Sequence, residues 1–157
     1  ERENGEFKYN FSNVNLSNVI KSILRELRYF IDEKKLNLIT KIDEDIFIIA
    51  DEKLIKKVIM NIIKNAIEHS NTGENVNVKT EDNDVYTAVY ITNTGEKLTD
   101  MQQKQIFERY YSEAKFEDNS MGIGLPLAKA VVEKQGGYIT VDSNEDKTTF
   151  IVKYIKM

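Results

Sequence analysis

Two asparagines and the only histidine of the chain stand at helical spacing in the stretch VIMNIIKNAIEHS, residues 58–70. Asn61, Asn65 and His69 follow one another at intervals of four residues, so a helix would place them on neighbouring turns of one side. Asparagine is a mediocre helix former, and two of them beside an apolar stripe therefore indicate a specific role. Two roles are open: the amides bond to neighbouring loops, or their carbonyl oxygens bind Mg²⁺, which prefers oxygen ligands.

Glycines further along the chain indicate a second kind of chemistry. Gly95 follows a predicted strand, and Gly122 and Gly124 in the segment MGIGL precede a predicted helix. Glycine lets backbone N–H groups approach a phosphate at the positive end of a helix. Taken alone, the G-x-G-L pattern is also typical of a plain loop-to-helix turn. The chain contains neither a Walker loop nor the dinucleotide fingerprint G-x-G-x-x-G.

Five segments give these residues a common context: NIIKNAIEHS, NTG, FERYY, GIGL and TTF. Their order and spacing resemble the ATP-binding catalytic domain of sensor histidine kinases. In that family they correspond to the N box, the first glycine box, the F box, the second glycine box and the final threonine motif. The resemblance covers residues 10–155. It implies the Bergerat fold of the GHKL superfamily, with ATP and Mg²⁺ as ligands.

The N box supplies the metal ligand and a catalytic residue in this resemblance. Asn65 corresponds to the Mg²⁺ ligand, and Asn61 lies one turn earlier, near the phosphates. Relatives that hydrolyse ATP place a glutamate at the position of Asn61, where it acts as a general base for water. Because an amide is a poor base at neutral pH, Asn61 favours transfer of phosphate to a histidine over hydrolysis. His69 corresponds to the ring that packs on adenine, with a surface histidine at a helix end as the alternative.

The remaining motifs add further nucleotide-binding residues by the same resemblance: Asn93, Gly95, Gly122, Ile123, Gly124, Leu125 and Thr149. Asn93 stands where the family usually has an aspartate that accepts a hydrogen bond from the adenine amino group. A neutral acceptor forms a weaker bond than a carboxylate, so we expect ATP to bind about fivefold more weakly than with aspartate. Thr149 either contacts a phosphate or packs in its strand.

The F box and the polar segment after it, residues 107–122, correspond to the family's ATP lid. Arg109 and Lys115 are the candidate catalytic cations there, because positive charge stabilises the transition state of phosphoryl transfer. For Lys115 a solvated loop residue is the open alternative. His69 is not expected to accept the phosphate, since the acceptor histidine of the family lies on a separate dimerising hairpin.

Hydrophobic periodicity and turn residues predict the elements that position these motifs. The predicted order is a helix over the apolar series Leu16–Ile31, strands at 36–42 and 46–50, a helix from Asp51 to Glu68, strands at 75–80 and 85–92, a short helix from Thr99, a helix at 125–135 and a closing hairpin. Asn13 or Asn15 is expected to cap the first helix. The order predicts an α+β two-layer sandwich, with about six mostly antiparallel strands covered on one face by about three helices.

Composition limits the class of protein. A chain of 157 residues with 41% hydrophobic and 31% charged residues is typical of one globular domain. Its net charge of −4 disfavours nucleic-acid binding, and a chain without cysteine has no disulfide. No apolar run reaches the roughly 18 residues that cross a bilayer, so we expect no membrane contact by this segment. The resemblance implies a cytoplasmic location, as the cytoplasmic part of a membrane-bound sensor. Residues 1–12 are expected to be a lead-in from a missing dimerisation domain, and residues 13–157 the catalytic domain.

The resemblance implies a specific function. The domain would bind Mg·ATP and donate the γ-phosphate to a histidine on the dimerisation domain of the same protein, which is a homodimer at full length. A response regulator would then take the phosphate on an aspartate. Two alternatives stay open: an ATPase of the same fold, and a pseudokinase module that binds partners and has lost nucleotide.

Overall fold

The computed structural model describes residues 2–3, 6–7, 9–95, 98–105 and 125–156. The strands within these residues are β1 Arg2–Glu3, β2 Glu6–Phe7, β3 Phe11–Asn15, β4 Asn37–Lys41, β5 Phe47–Asp51, β6 Asn75–Asp82, β7 Tyr86–Thr94, β8 Gly137–Ser143 and β9 Lys147–Ile155. The helices are α1 Leu16–Glu26, α2 Arg28–Glu33, α3 Glu52–His69, α4 Asp100–Gln105 and α5 Leu125–Lys134. None of these described helices is long and apolar enough to cross a membrane.

The main sheet has five strands in the order β4-β6-β7-β9-β8. Its β4–β6 pair is parallel, and the other three pairs are antiparallel. Helix α3 packs on β7, α5 packs on β8, and both α1 and α5 contact α3, so the helices form one layer over the sheet. The predicted α+β two-layer sandwich with a mostly antiparallel sheet is therefore confirmed.

The prediction of about six strands in one sheet was wrong by one strand. The strand predicted at 46–50 leaves the main sheet and pairs as β5 with β3, in an antiparallel ribbon where Val14 lies opposite Ile48. Both side chains are buried in the core, and this burial fixes which face of the ribbon turns inward. The predicted domain boundary between residues 12 and 13 falls inside β3.

The apolar series that predicted one long helix forms two. Helix α1 begins after Asn15, whose side chain accepts a hydrogen bond of 3.0 Å from the Asn18 N–H. The helix ends before Leu27, whose φ of −94° and ψ of 4° depart from regular helix geometry, and α2 follows at once. Leu27 and Ile31 are both buried, so the apolar side stays against the core across the break.

Helix α3 is the central helix of the layer. Asp51 caps its start by accepting a hydrogen bond of 3.1 Å from the Leu54 N–H, as the sequence predicted. The same carboxylate accepts 2.8 Å from the Asn10 N–H and so ties the helix start to the lead-in. The isoleucines of α3 are buried on two sides, against the sheet and against the neighbouring helices.

Two hairpins close the sheet as predicted. Asn83 turns the chain between β6 and β7 by accepting hydrogen bonds of 2.9 Å from the N–H groups of Val85 and Tyr86. At the start of β8, Gly137 lies so close to β9 that a Cβ atom there would be 2.6 Å from the Lys153 carbonyl oxygen. This close approach requires glycine and brings the end of α5 onto the sheet.

Candidate nucleotide-binding site

Helix α3 carries the predicted N-box residues at its carboxyl-terminal half. Asn61 is fully buried and Asn65 is 6% exposed, whereas His69 at the end of the helix is exposed. The sequence placed the two amides at the border of the apolar face. The structure buries them because α3 is covered by α1 and α5 as well as by the sheet. Two amides are thus held in a low-dielectric layer, where their hydrogen bonds are strong.

Asn65 differs from an ordinary buried amide in one respect. Its side chain makes no hydrogen bond to any of the residues that the structure describes, while it keeps a small exposed area. Buried polar groups are nearly always hydrogen-bonded in folded proteins. An uncommitted amide oxygen of this kind is suited to a ligand from outside, and a hard cation with its own waters and phosphates fits that chemistry.

The end of β7 brings a second amide to the same region. Asn93 is 5% exposed and lies on the helix-facing side of the sheet, opposite Val76 of β6 and Thr148 of β9. Its Nδ2 donates a long bond of 3.4 Å to the Thr94 carbonyl. Its Oδ1 has no hydrogen bond within the described residues and remains an available acceptor.

Gly95 joins the two amide-bearing elements. A Cβ atom on Gly95 would lie 3.0 Å from the His69 carbonyl oxygen and 3.4 Å from the Asn93 Nδ2. A side chain there would be in tight contact, and the end of α3 or the Asn93 side chain would have to shift slightly to admit it. The structure therefore brings His69, Asn93 and Gly95 together, and Asn65 lies one helical turn before His69 on α3.

Thr149 is the predicted site residue that the structure places elsewhere. Side chains alternate along β9, and Thr149 points to the face of the sheet away from the helices, where its Oγ1 lies 3.0 Å from the Oγ1 of Thr92. Thr148 is 5% exposed and shares the helix-facing side with Asn93. This geometry agrees with the alternative that Thr149 packs in its strand, and a contact between Thr149 and a phosphate stays a prediction.

Thr148 belongs to a small network that sequence reasoning missed. Its Oγ1 lies 2.7 Å from the Oγ of Ser143, and that same oxygen accepts a hydrogen bond of 2.9 Å from the Leu98 N–H. A signal for Thr148 existed in the sequence: Phe150 must face the core, and a residue two positions earlier in a strand shares its face. No local pattern marked Ser143.

Helix α4 begins next to this network of Thr148, Ser143 and Leu98. Thr99 caps α4, because its Oγ1 accepts a hydrogen bond of 3.0 Å from the Gln102 N–H. In return, the Gln102 side chain accepts a hydrogen bond of 2.8 Å from the Thr99 N–H. This reciprocal capping box confirms the predicted helix start at Thr99.

The lid and most of the second glycine box cannot be compared with the structure. The predicted site residues that lie outside the described part are Arg109, Lys115, Gly122, Ile123 and Gly124. Leu125 is the first residue of α5, so the backbone after the G-x-G segment does enter a helix, as predicted.

The opposite face of the sheet has a different character. There the Tyr90 hydroxyl donates a hydrogen bond of 2.7 Å to Glu81, which raises the pKa of Tyr90 to about 12 and lowers the pKa of Glu81. The Lys79 ammonium lies 5.0 Å from the centre of the Tyr90 ring. The buried polar side chains on the helix face are instead neutral amides and hydroxyls, which bind by hydrogen bonding and coordination rather than by proton transfer.

Comparison with known proteins agrees with this geometry. The family described as histidine kinase-, DNA gyrase B-, and HSP90-like ATPase matches residues 50–157. Among curated proteins, the heme sensor protein HssS of Staphylococcus saprophyticus is 35% identical over 158 residues, which is 100% of this chain and 34% of that protein. The chain therefore spans about a third of the length of this relative.

Solved structures show the same fold. The catalytic domain of histidine kinase ThkA superposes with a TM-score of 0.83 at 23% identity, covering 94% of this chain and 96% of that one. ThkA in complex with the response regulator protein TrrA gives a TM-score of 0.80 at 23% identity, covering 94% of this chain and 42% of that one. The chain therefore belongs to the histidine kinase-, DNA gyrase B- and HSP90-like ATPase family, and it has the fold of the ThkA catalytic domain.

Proposed function

We propose that this domain binds Mg·ATP and donates the γ-phosphate to a histidine on a dimerisation domain of the same protein, for transfer to an aspartate of a response regulator. The observation that carries the proposal is the juxtaposition of neutral amides at one end of the helix layer. Asn61 and Asn65 are buried on α3, which packs on β7, and Asn93 of β7 and Thr148 of β9 are neighbours on the helix-facing side of the sheet. The arrangement offers acceptors and ligands to a nucleotide without a carboxylate at the position of Asn61.

Asn65 would hold the metal through its uncommitted carbonyl oxygen. Mg²⁺ commonly takes one or two protein oxygens together with phosphates and water, so a single amide ligand is sufficient. The ion would neutralise charge on the phosphates during transfer. The buried position of Asn65 limits its side-chain freedom, and a ligand held on a rigid helix keeps its direction.

Asn61 favours transfer of the γ-phosphate to another group over hydrolysis of ATP by water. An amide cannot remove a proton from water at neutral pH, and a water molecule near the γ-phosphate is therefore not activated there. Catalysis in this domain would consist of positioning and charge stabilisation, while the nucleophile comes from another domain. A related ATPase remains the enzymatic alternative, and the amide at Asn61 counts against it.

The adenine end would be recognised by Asn93, His69 and Thr148. The Asn93 Oδ1 is available to accept from the adenine amino group, and the exposed His69 lies at the open end of α3. Thr148 is included because it shares the face of Asn93, and the expected phosphate contact of Thr149 stays a prediction. At the phosphate end, Arg109 and Lys115 would supply positive charge, and residues 122–125 would supply backbone N–H groups ahead of α5.

The partners and location follow from the same family. The likeness to ThkA, which has been solved with a response regulator, supports a regulator as the final phosphate acceptor. A curated relative is a sensor protein of which this chain spans about a third, which supports a larger sensor protein. By the resemblance to sensor histidine kinases, that protein would be dimeric and membrane-bound, with this domain in the cytoplasm. A nucleotide-free interaction module is the second candidate function, favoured only by the amide at Asn93.

Phosphohistidine formation tests the proposed activity. The full-length protein is incubated with ATP labelled at the γ-phosphate, and the product is treated with acid and with base. We expect label that is stable in base and labile in acid, and little phosphate release by the domain alone. Rapid multiple-turnover hydrolysis by the isolated domain would contradict the proposal and favour the ATPase alternative.

A further inference from the structure

We infer that Lys34, a residue outside every nucleotide-binding motif, is a positioning residue for the adenine end of this site. The inference rests on the proposed function. The Lys34 ammonium donates hydrogen bonds to three backbone carbonyls at the end of α3: 2.8 Å to Ile67, 3.0 Å to Glu68 and 2.6 Å to Ser70. The lysine is separated from these residues by more than 30 positions in the chain, so the contact is tertiary rather than local.

The chemistry of the helix end explains why a lysine suits this place. The last carbonyls of a helix have no partner within the helix and carry the negative end of its dipole. An ammonium group has three donors and a positive charge, and Lys34 uses all three on this one turn. The helix has no glycine at its end to form the usual left-handed cap, because Ser70 follows in an extended conformation.

The turn that Lys34 holds is also the turn that contacts the strand with the adenine acceptor. Lys34 bonds the carbonyls on both sides of His69, and the His69 carbonyl oxygen itself lies against Gly95, 3.0 Å from the position a Cβ atom would take there. Gly95 is two residues from Asn93. A displacement of this turn would therefore change the position of the His69 ring relative to the Asn93 amide.

The backbone around Lys34 fixes the next residues of the same loop. The Lys34 carbonyl accepts 3.1 Å from the Gly73 N–H, and the Asn37 N–H donates 2.9 Å to the Glu74 carbonyl. The Glu74 carboxylate accepts 3.0 Å from the Asn71 N–H and lies beside Gly95. The turn between α2 and β4 thus holds residues 70–74 by side chain and by backbone. Substitution of Lys34 removes only the hydrogen bonds of its side chain and leaves those of its backbone.

The Lys34 contact lies at the end of α3, so its effect on the adenine end of the site can be distinguished from an effect on the stability of the whole domain. Asn61 lies eight residues before His69, about 12 Å along the helix, where the packed isoleucines hold the helix independently. Loss of the Lys34 ammonium should disturb the adenine end and leave the phosphate end in place. Binding of a whole nucleotide and binding of its phosphate chain alone should therefore respond differently.

Titration calorimetry with two ligands tests this inference. Wild type, Lys34→Met and Lys35→Met are titrated with a non-hydrolysable ATP analogue and with inorganic tripolyphosphate, each with Mg²⁺. Lys35 is the matched control because it is the exposed next residue and its substitution makes the same change of charge. We expect Lys34→Met to bind the analogue about tenfold more weakly, since it loses hydrogen bonds from a charged donor, with tripolyphosphate binding unchanged. Lys35→Met should match the wild type with both ligands, and Lys34→Arg should recover part of the affinity.

Each contrary result has its own meaning. Wild-type affinity for the analogue in folded Lys34→Met would overturn the inference, as would an equal loss for both ligands. If Lys34→Met does not fold, Lys34→Gln takes its place, and failure of both to fold would make Lys34 a stability residue and also overturn the inference. If the wild type itself binds no analogue, the proposed function fails, and that outcome is distinct from the others.

Discussion

Asn93 is the residue at which this chain departs most clearly from the histidine kinase pattern. It is buried on the helix face of β7, and its Oδ1 accepts no hydrogen bond from the residues that the structure describes, so its position suits an adenine acceptor while its charge does not match the usual aspartate. A hydrogen bond to a charged group contributes about 1.5–3 kcal/mol, against about 0.5–1.5 kcal/mol for a neutral pair. The amide should therefore support binding of ATP at reduced affinity.

Restoring the carboxylate tests this interpretation. We expect Asn93→Asp to bind ATP about fivefold more tightly than the wild type, because the acceptor gains charge at an unchanged position. Calorimetric titration with a non-hydrolysable analogue measures the difference. Unchanged or weaker binding would show that the residue at this position does not limit affinity.

The adjacent threonines of β9 offer a matched pair for a second test. Thr148 faces Asn93 and Thr149 faces Thr92 on the other side of the sheet, so valine at either position removes one hydroxyl while it keeps the shape. We expect Thr148→Val to weaken ATP binding about fivefold and Thr149→Val to leave it unchanged. Calorimetric titration of the two variants compares them directly, and the reverse order of effects would contradict the assignment of Thr148.

These two threonines also show how far residue-level prediction can go. The motif TTF was recognised from the sequence, yet the motif alone did not say which hydroxyl faces the nucleotide. Strand alternation with Phe150 as the core residue would have decided it. Lys34 could not have been found in this way, because its role depends on a contact between elements that are distant in the chain.

At the scale of elements, local signals were sufficient for the ends of helices and for the turns. Asn15, Asp51 and Thr99 cap their helices as predicted, because a cap needs only a side chain and an N–H group three residues later. The pairing of β5 with β3 was not predicted. Periodicity defines the two faces of a strand but does not identify the strand that pairs with it. The parallel pairing of β4 with β6 was not predicted for the same reason.

The cap of α3 gives an element-scale prediction. Asp51→Ala removes the acceptor for the Leu54 N–H and for the Asn10 N–H, one at the helix start and one in the lead-in. We expect the free energy of unfolding to fall by about 1–2 kcal/mol, as for other helix caps. Urea denaturation followed by circular dichroism measures the loss. Asp51→Asn serves as the control, since asparagine also caps helices, and an equal loss in both variants would contradict capping as the cause.

Asp82, at the hairpin end of β6, should make the stability of the domain depend on pH. The Thr87 hydroxyl donates a hydrogen bond of 2.7 Å to the Asp82 carboxylate, and the Lys156 ammonium lies 3.0 Å from the same carboxylate. Together these two groups lower the pKa of Asp82 below its ordinary value of 3.8. A lowered pKa in the folded state contributes stability above the ordinary value, and that contribution is lost as the pH falls through the lowered value. We expect Asp82→Asn to lose less stability than the wild type between pH 5 and pH 2 in urea denaturation. Parallel curves for the two proteins would contradict this contribution.

At the scale of the molecule, the domain combines a rigid binding layer with a reaction that needs a second domain. The sheet and α3 hold neutral amides in fixed positions, and residue 61 is an amide rather than a carboxylate that could serve as a base. The resemblance in sequence implied this architecture, since five motifs follow one another in the family's order between residues 61 and 150. The roles of the lid cations and of residues 122–124 stay predictions.

Magnesium-dependent nucleotide binding is the most direct test of the central claim. A non-hydrolysable ATP analogue is titrated into the wild type, Asn65→Ala and Asn18→Ala, with and without Mg²⁺, where Asn18 is an exposed helix residue and serves as the control. We expect binding that requires Mg²⁺ in the wild type and in Asn18→Ala, and loss of that binding in Asn65→Ala. Binding by Asn65→Ala with undiminished magnesium dependence would contradict the role of Asn65, and no binding by the wild type at millimolar nucleotide would contradict a nucleotide-binding domain altogether.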